Sequence, residues 1–221
     1  MIAAGGAGRR MGGSRKQYLT LAGEPLLVHS IRPFLAHPAV ASVVVALPPE
    51  DAAAPPDWLV RLDPRVVIVP GGEERGDSVR RGLARVPADA DVVLIHDAAR
   101  PLVDRATIDR VLAAVRPGVG AVPAVAVGDT IKEVDEEGRV VATPDRRRLR
   151  RAQTPQGFPC GLISDAYRRA AADGVVATDD AALVERYNGT VVVVEGSAEN
   201  IKVTSPADLA VAEALLVRRR R

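Results

Sequence analysis

The sequence predicts an α/β fold, a mostly parallel twisted sheet with helices on both faces, and three observations carry that expectation. The apolar run at 43–47 is continuous, not alternating, as in a strand buried on both faces, and further strands are expected at 66–69, 91–95 and 119–127. Amphipathic segments of helical length lie between them. The turns that follow the runs are rich in Gly, Pro and charge, and strands alternating with helices in this way build a parallel sheet. Ligands on such sheets sit at the carboxyl ends of the strands, so those turns are the first place to look for chemistry.

Taken in order, the chain opens with MIAAGGAGRRMGGSRK. Glycines let backbone amides approach a ligand and adopt φ > 0, and successive amides form a concavity suited to phosphate oxygens. With Arg9, Arg10 and Lys16 alongside, the stretch reads as a polyphosphate cradle, or more plainly as a flexible terminal tail. It is neither a Walker A loop nor a dinucleotide fingerprint: the lysine falls three places past Gly13, and Met11 stands where G-x-G-x-x-G needs its third glycine. A phosphate loop hangs from a strand, yet only Met1 and Ile2 precede it, so that strand is a stub or its start lies upstream.

A helix is expected from Pro25 to about residue 35, kinked or ended early by Pro33. Strand 43–47 leads to a loop at 51–57. Strand 66–69 runs into GGEERGDS, where Asp77 and Ser78 suit the cap of a helix reaching Val86. Strand 91–95 ends in HDAARP, and an amphipathic helix spans about 104–115. Pro123 places strand 119–127 at an edge or a bulge. Residues 129–151 break the alternation: two strand-like runs flank Asp135-Glu136-Glu137-Gly138, a hairpin signal in a segment too charged for a core. The segment reads as an arm that could pack on a second subunit. A helix at 160–172, a capped helix after Thr178, a strand at 191–194 and a helix at 206–217 complete a single domain, 1–221.

Bulk properties set limits. The 221 residues are 47% hydrophobic and 26% charged, ordinary for a globular protein. Aromatics make up only 3%, so Val, Leu, Ile and Ala must build the core. A net charge of +2 argues against nucleic acid as a partner. No apolar run spans a bilayer, no signal peptide is present, and the single Cys160 cannot form an internal disulfide, so a cytoplasmic protein without a membrane partner is expected. Of 30 basic residues only Lys16, Lys132 and Lys202 are lysine. In so arginine-rich a chain, persisting lysines mark places that want a compact ammonium, and Lys16 and Lys202 are expected to contact phosphate. Asp97, at the exit of a buried strand, suits Mg²⁺–phosphate binding or capping of its own loop. The three histidines have no metal-ligand spacing, so zinc is not expected.

The motifs AAGGAGRRM with RKQYL, GGEERGDSV, HDAARP, GDTIK, TPQGF, TDDA and EGSAENIKVTSPADLAVAE follow in order over nearly the whole chain. As a set they resemble the 2-C-methyl-D-erythritol 4-phosphate cytidylyltransferases of the non-mevalonate isoprenoid pathway. The resemblance implies a Rossmann-like nucleotidyltransferase fold, a homodimer joined by the arm at 129–151, and Mg²⁺-dependent transfer of CMP from CTP to a polyol phosphate. Ribitol-5-phosphate cytidylyltransferases share much of the pattern, and a non-catalytic CTP-binding module is a further alternative. Carried over by position, Ala4, Gly5, Gly6 and Gly8 would line the nucleotide, with Arg10, Lys16 and Lys202 catalytic on its phosphates. Gly72, Glu73 and Ser78 would meet the cytosine and its sugar, and Asp97 would bind Mg²⁺. Asp97, Arg100, Thr130, Arg146 and Thr178 would form the substrate pocket, Thr130 and Arg146 coming from the partner's arm.

Overall fold

The computed structural model describes residues 1–5, 15–176 and 178–219. Strand β1 (Ile2–Ala3) opens the chain, and a 3-10 turn at Lys16–Tyr18 leads into a small hairpin, β2 (Thr20–Leu21) and β3 (Glu24–Pro25). Helix α1 (Leu26–Leu35) continues through Pro33 and ends two residues later. So near the helix end the missing N–H costs one backbone bond, and the helix is not cut short there. After β4 (Val43–Leu47) come two short helices, α2 (Pro49–Ala53) and α3 (Asp57–Val60), where the sequence predicts a loop. Pro49 in the first turn of α2, with Glu50 and Asp51 at its positive end, accounts for the local helix.

β5 (Val66–Pro70), α4 (Arg75–Leu83), β6 (Val92–Asp97), α5 (Arg105–Ala114) and β7 (Val119–Ala126) continue the alternation. The arm carries β8 (Glu133–Val134) and β9 (Val140–Ala142), which pair with each other as a separate two-stranded sheet, with Gly138 at positive φ in the turn. β10 (Arg150–Ala152), β11 (Gln156–Pro159), α6 (Cys160–Asp173), α7 (Asp180–Arg186), β12 (Thr190–Glu195) and α8 (Pro206–Arg219) follow.

Among the described residues, one sheet of eight strands runs in the order β10-β7-β11-β6-β1-β4-β5, with β12 added beside β7. β1 is parallel to β4 and β6, β4 to β5, and β12 to β7, while β10 and β11 run against their neighbours. The two-residue β1 therefore lies at the centre of the sheet. β7 is no edge strand, since it is flanked by β12 on one side and by β10 and β11 on the other. Pro123 is tolerated because its side toward β10 and β11 falls at the break between them, where its carbonyl accepts the Gln153 N–H at 2.7 Å.

Alternate residues of each strand go to opposite faces. Val44, Ala46, Val93 and Ile95 pack under α4, α6 and α7, while Val43, Val45, Leu47 and Leu94 pack under α1 and α5. A third apolar cluster seats α8 on Leu21, Leu26 and Leu102. Among the described residues, no helix is long and apolar enough to cross a membrane. In β7, a Cβ at Gly120 would stand 2.4 Å from the fully buried Phe158 ring. Gly120→Ala is expected to destabilise the fold by about 1–3 kcal/mol through overpacking, read as a lower urea midpoint with unchanged slope.

Candidate active site

The central strands end together. Ala4 N–H bonds Ala46 C=O at 3.0 Å and Ala98 N–H bonds Ala3 C=O at 3.1 Å, so the exits of β1, β4 and β6 are stitched edge to edge. The loop after β5 closes against the opening loop through Ser78. Its buried hydroxyl accepts the Gly72 N–H at 3.1 Å and donates to Glu74 C=O at 3.3 Å. A Cβ at Gly5 would stand 2.6 Å from that oxygen and one at Gly71 2.8 Å, so only glycines let the two loops meet around it. Ser78 is not the helix cap. Glu74 is the N-cap of α4, and Asp77 returns the reciprocal bond of a capping box, which starts the helix earlier than expected and buries Ser78 in its first full turn.

Asp97, the last residue of β6, gathers the cations. Its Oδ2 lies 2.7 Å from Lys202 Nζ and 4.0 Å from Arg100 Nε, and its Oδ1 lies 3.0 Å from Arg75 Nε. Burial alone would raise its pKa, but Arg75 and Lys202 outweigh that and hold the carboxyl well below the usual carboxylate range. Asp97 is therefore an anion throughout the working range. The two terminal nitrogens of Arg75 grip Asp180 at 3.0 and 2.7 Å, and Tyr167 donates its hydroxyl to the same carboxylate at 2.5 Å. Asp180 has no exposure to solvent.

Behind Asp97 a closed circuit holds the loop. The Asp97 N–H donates to Thr154 Oγ1 at 3.1 Å, that hydroxyl donates to His96 Nδ1 at 2.9 Å, and His96 Nε2–H donates to Arg100 C=O at 3.0 Å. Burial pushes the His96 imidazole down to about 4, so it is neutral at pH 7, as its acceptor role at Nδ1 requires.

Lys202 is placed by its neighbours. Val203 N–H bonds Ala99 C=O at 2.8 Å, and Asn200 is tied to Thr154 through its side chain and to Arg100 and Gln153 through its carbonyl. Lys16 Nζ reaches Thr204 C=O at 3.2 Å, so the lysine after the opening loop and Lys202 meet on one short segment. That segment is clamped by Asp208, whose Oδ2 accepts from Thr204 N, Thr204 Oγ1 and Ser205 N, each at 2.8 Å.

Of the residues singled out from the sequence, the fold brings Lys16, Lys202, Asp97, Arg100, Gly5, Gly72, Ser78 and buried Ala4 to the ends of the central strands. Glu73 is exposed on the same loop as Gly72. Thr130 and Arg146 are exposed on the arm, where Arg146 bonds its own chain's Gly128 C=O at 2.6 Å, and Thr178 is exposed before α7. None of these three hydrogen-bonds the Asp97 cluster. Gly6, Gly8 and Arg10 lie outside the described residues. Sequence reasoning missed Arg75, Tyr167, Asp180 and Thr154, although Arg75, Asp180 and Thr154 sit within motifs already singled out.

A mostly parallel α/β sheet whose central strand exits gather one carboxylate, one lysine and two arginines has the layout of a protein built to meet anionic ligands at the carboxyl ends of its strands. The chain matches the model of the family "IspD: 2-C-methyl-D-erythritol 4-phosphate cytidylyltransferase" over residues 1–218, and it belongs to that family. It is 46% identical to the enzyme so named from Streptomyces avermitilis, an alignment covering 100% of this chain and 92% of that one. It is 42% identical to the one from Desulforamulus reducens, covering 99% and 95%. The crystal structure of the Thermus thermophilus enzyme superposes with a TM-score of 0.81 at 37% identity, covering 97% and 96% of the two chains. 4-Diphosphocytidyl-2C-methyl-D-erythritol synthase from Anaerococcus prevotii gives 0.87 at 28% identity, covering 97% and 93%.

Asp208 supplies a prediction. Hydrogen bonds from Thr204 and Ser205 lower its pKa from 3.8 to about 2. A depressed carboxylate contributes stability that is fully present above pH 3.8 and is lost as pH falls through about 2. Asp208→Ala should cost about 0.5–2 kcal/mol at pH 7, the range for a lost helix cap, with the gap from wild type closing in acid. Chemical denaturation at pH 7 and at successively lower pH reads both effects.

Proposed function

We propose that this chain transfers CMP from CTP to 2-C-methyl-D-erythritol 4-phosphate, giving 4-diphosphocytidyl-2-C-methyl-D-erythritol and pyrophosphate. The observation that carries the reading is the convergence of Lys202, Arg75 and Arg100 on Asp97, with Lys16 bonded to Thr204 two residues after Lys202, in a member of this family. A phosphate oxygen of the acceptor attacks the α-phosphorus of CTP in line. The new P–O bond forms as the bond to the β-phosphate oxygen breaks, and pyrophosphate carries away the electron pair. A phosphate monoester is already a nucleophile, so the site needs no general base. Its work is to bring two anions together and to offset charge on the non-bridging oxygens.

Lys202, and Lys16 with Arg10, meet the triphosphate in this reading. Ala4, Gly5, Gly6 and Gly8 line the nucleotide, and Gly72 and Glu73 face the cytosine and sugar on the loop that Ser78 shapes. Asp97 suits Mg²⁺: one carboxylate with phosphate oxygens and water completing the shell is the usual arrangement for this ion. Among the described residues no group of three or more His, Cys, Asp or Glu gathers to make a protein cage, which fits an ion shared with phosphate. Mg²⁺ so bound neutralises phosphate charge. Arg100 and Thr178 hold the acceptor phosphate together with Thr130 and Arg146 of a second copy, whose arm presents exposed Ile131, Val134, Val140 and Val141 for dimerisation.

Methylerythritol phosphate and ribitol 5-phosphate offered side by side, with CTP and Mg²⁺, test the reading by pyrophosphate release. Turnover of the first acceptor is expected; preference for the second, or no turnover, would refute it. Lys16→Ala and Lys202→Ala should each lower kcat by about 10²-fold, the loss for one preorganised charge partner of the transition state. Arg146→Ala should chiefly raise KM for the polyol phosphate, and an unchanged KM would remove the arm from the pocket.

A further inference from the structure

Arg75 forms the middle of a chain of contacts that the transfer chemistry leaves unexplained. Its guanidinium uses all three nitrogens in one plane: two on Asp180 at 3.0 and 2.7 Å, and Nε on Asp97 at 3.0 Å. Asp180 is wholly buried and accepts a further 2.5 Å bond from Tyr167. A buried ion pair of this kind costs desolvation that packing alone would avoid, so it is weak evidence for stability and invites a positional role.

The anchorage behind it is rigid. Asp180 is the first residue of α7, whose N-cap Asp179 accepts from Gln156 Nε2 at 2.9 Å, while Gln156 Oε1 accepts the Ala181 N–H at 3.0 Å. Gln156 belongs to β11 and pairs directly with Ile95 of β6, two residues before Asp97. The carboxylate of Asp97 and the group that holds Arg75 thus hang from adjacent strands of one sheet.

We propose that Arg75, locked by Asp180 and Tyr167, is a positioning residue for Asp97: it occupies Oδ1 and turns Oδ2 toward Lys202 and the incoming metal–triphosphate. The fork matters more than the charge. A lysine at 75 could pair with Asp180 or with Asp97, but it lacks the three coplanar donors that hold both. Burial and the Asp180 charge keep the Tyr167 phenol far above its usual range, so it stays a donor.

The inference rests on Asp97 belonging to the proposed site, and the test separates the two. Mn²⁺ binding to the enzyme–CTP complex, without acceptor, is read by electron paramagnetic resonance, and kcat and KM are measured beside it for Asp97→Ala, Arg75→Lys, Asp180→Asn and Tyr167→Phe. Arg75→Lys should weaken Mn²⁺ binding and lower kcat by about 10–100-fold, the scale for losing a partner that orients a metal ligand, while KM for the polyol phosphate stays near wild type. Tyr167→Phe should shift both quantities in the same direction by less. Arg75→Lys and Tyr167→Phe keep the bulk of the side chain, so they carry the test if Asp180→Asn does not fold. Wild-type Mn²⁺ affinity and kcat in Arg75→Lys, with both lost in Asp97→Ala, would overturn the positioning role and leave the function standing. Both retained in Asp97→Ala would remove Asp97 from the proposed site and overturn the positioning role with it, whereas loss of turnover in the wild-type chain itself is what would overturn the function reading.

Discussion

The carboxylate of Asp97 holds together a group of cations that would otherwise repel one another. Lys202, Arg75 and Arg100 converge within 4.0 Å of its two oxygens. Without that anion, burying Arg75 and Arg100 so close together would be costly, and Lys202 would have no reason to turn inward. The positive field at the strand exits is thus assembled before any phosphate arrives. Asp97 and Asp180 together do not neutralise the three cations, and the remaining positive charge is what an anionic ligand meets.

The sheet makes that assembly possible by placing unlike segments side by side. β11 runs antiparallel between β6 and β7, and the residues leading into it include Gln153 and Thr154. Thr154 secures the backbone of Asp97, and Gln153 secures the loop that ends in Lys202. Lys202 itself is exposed, yet the backbone that carries it is fixed by Asn200, Val203 and the Asp208 clamp. An ammonium on a flexible stem becomes well aimed because its root cannot move.

A similar constraint shapes the opening loop. Gly5 and Gly71 are small so that one hydroxyl, that of Ser78, can stand between them. The contact joins the two loops expected to meet the nucleotide, and it ties them to the first turn of α4, which also carries Arg75. The opening loop, Arg75 and the Asp97 carboxylate therefore share one mechanical unit. The one titratable imidazole beside that unit, His96, is buried, neutral and occupied in holding its own loop.

Much of this is legible in the residues. Continuous apolar runs locate the parallel strands, and the scarcity of lysine marks Lys16 and Lys202, because composition and periodicity report burial and charge demand locally. The structure decides what depends on residues distant in sequence. β11 has no sequence signature, since QTPQGF lacks a strand pattern of its own and pairs only because β6 and β7 offer it two edges. Asp180 reads as part of a helix start, and nothing in TDDA says that its carboxylate would be sealed from water beneath an arginine 105 positions away. Sequence alone determined which apolar runs would be strands and which motifs would follow them with glycines and charge. Only the tertiary structure decided that a single carboxylate would hold those cations in one place, because the energy of a buried charge is set by neighbours that the chain order keeps apart.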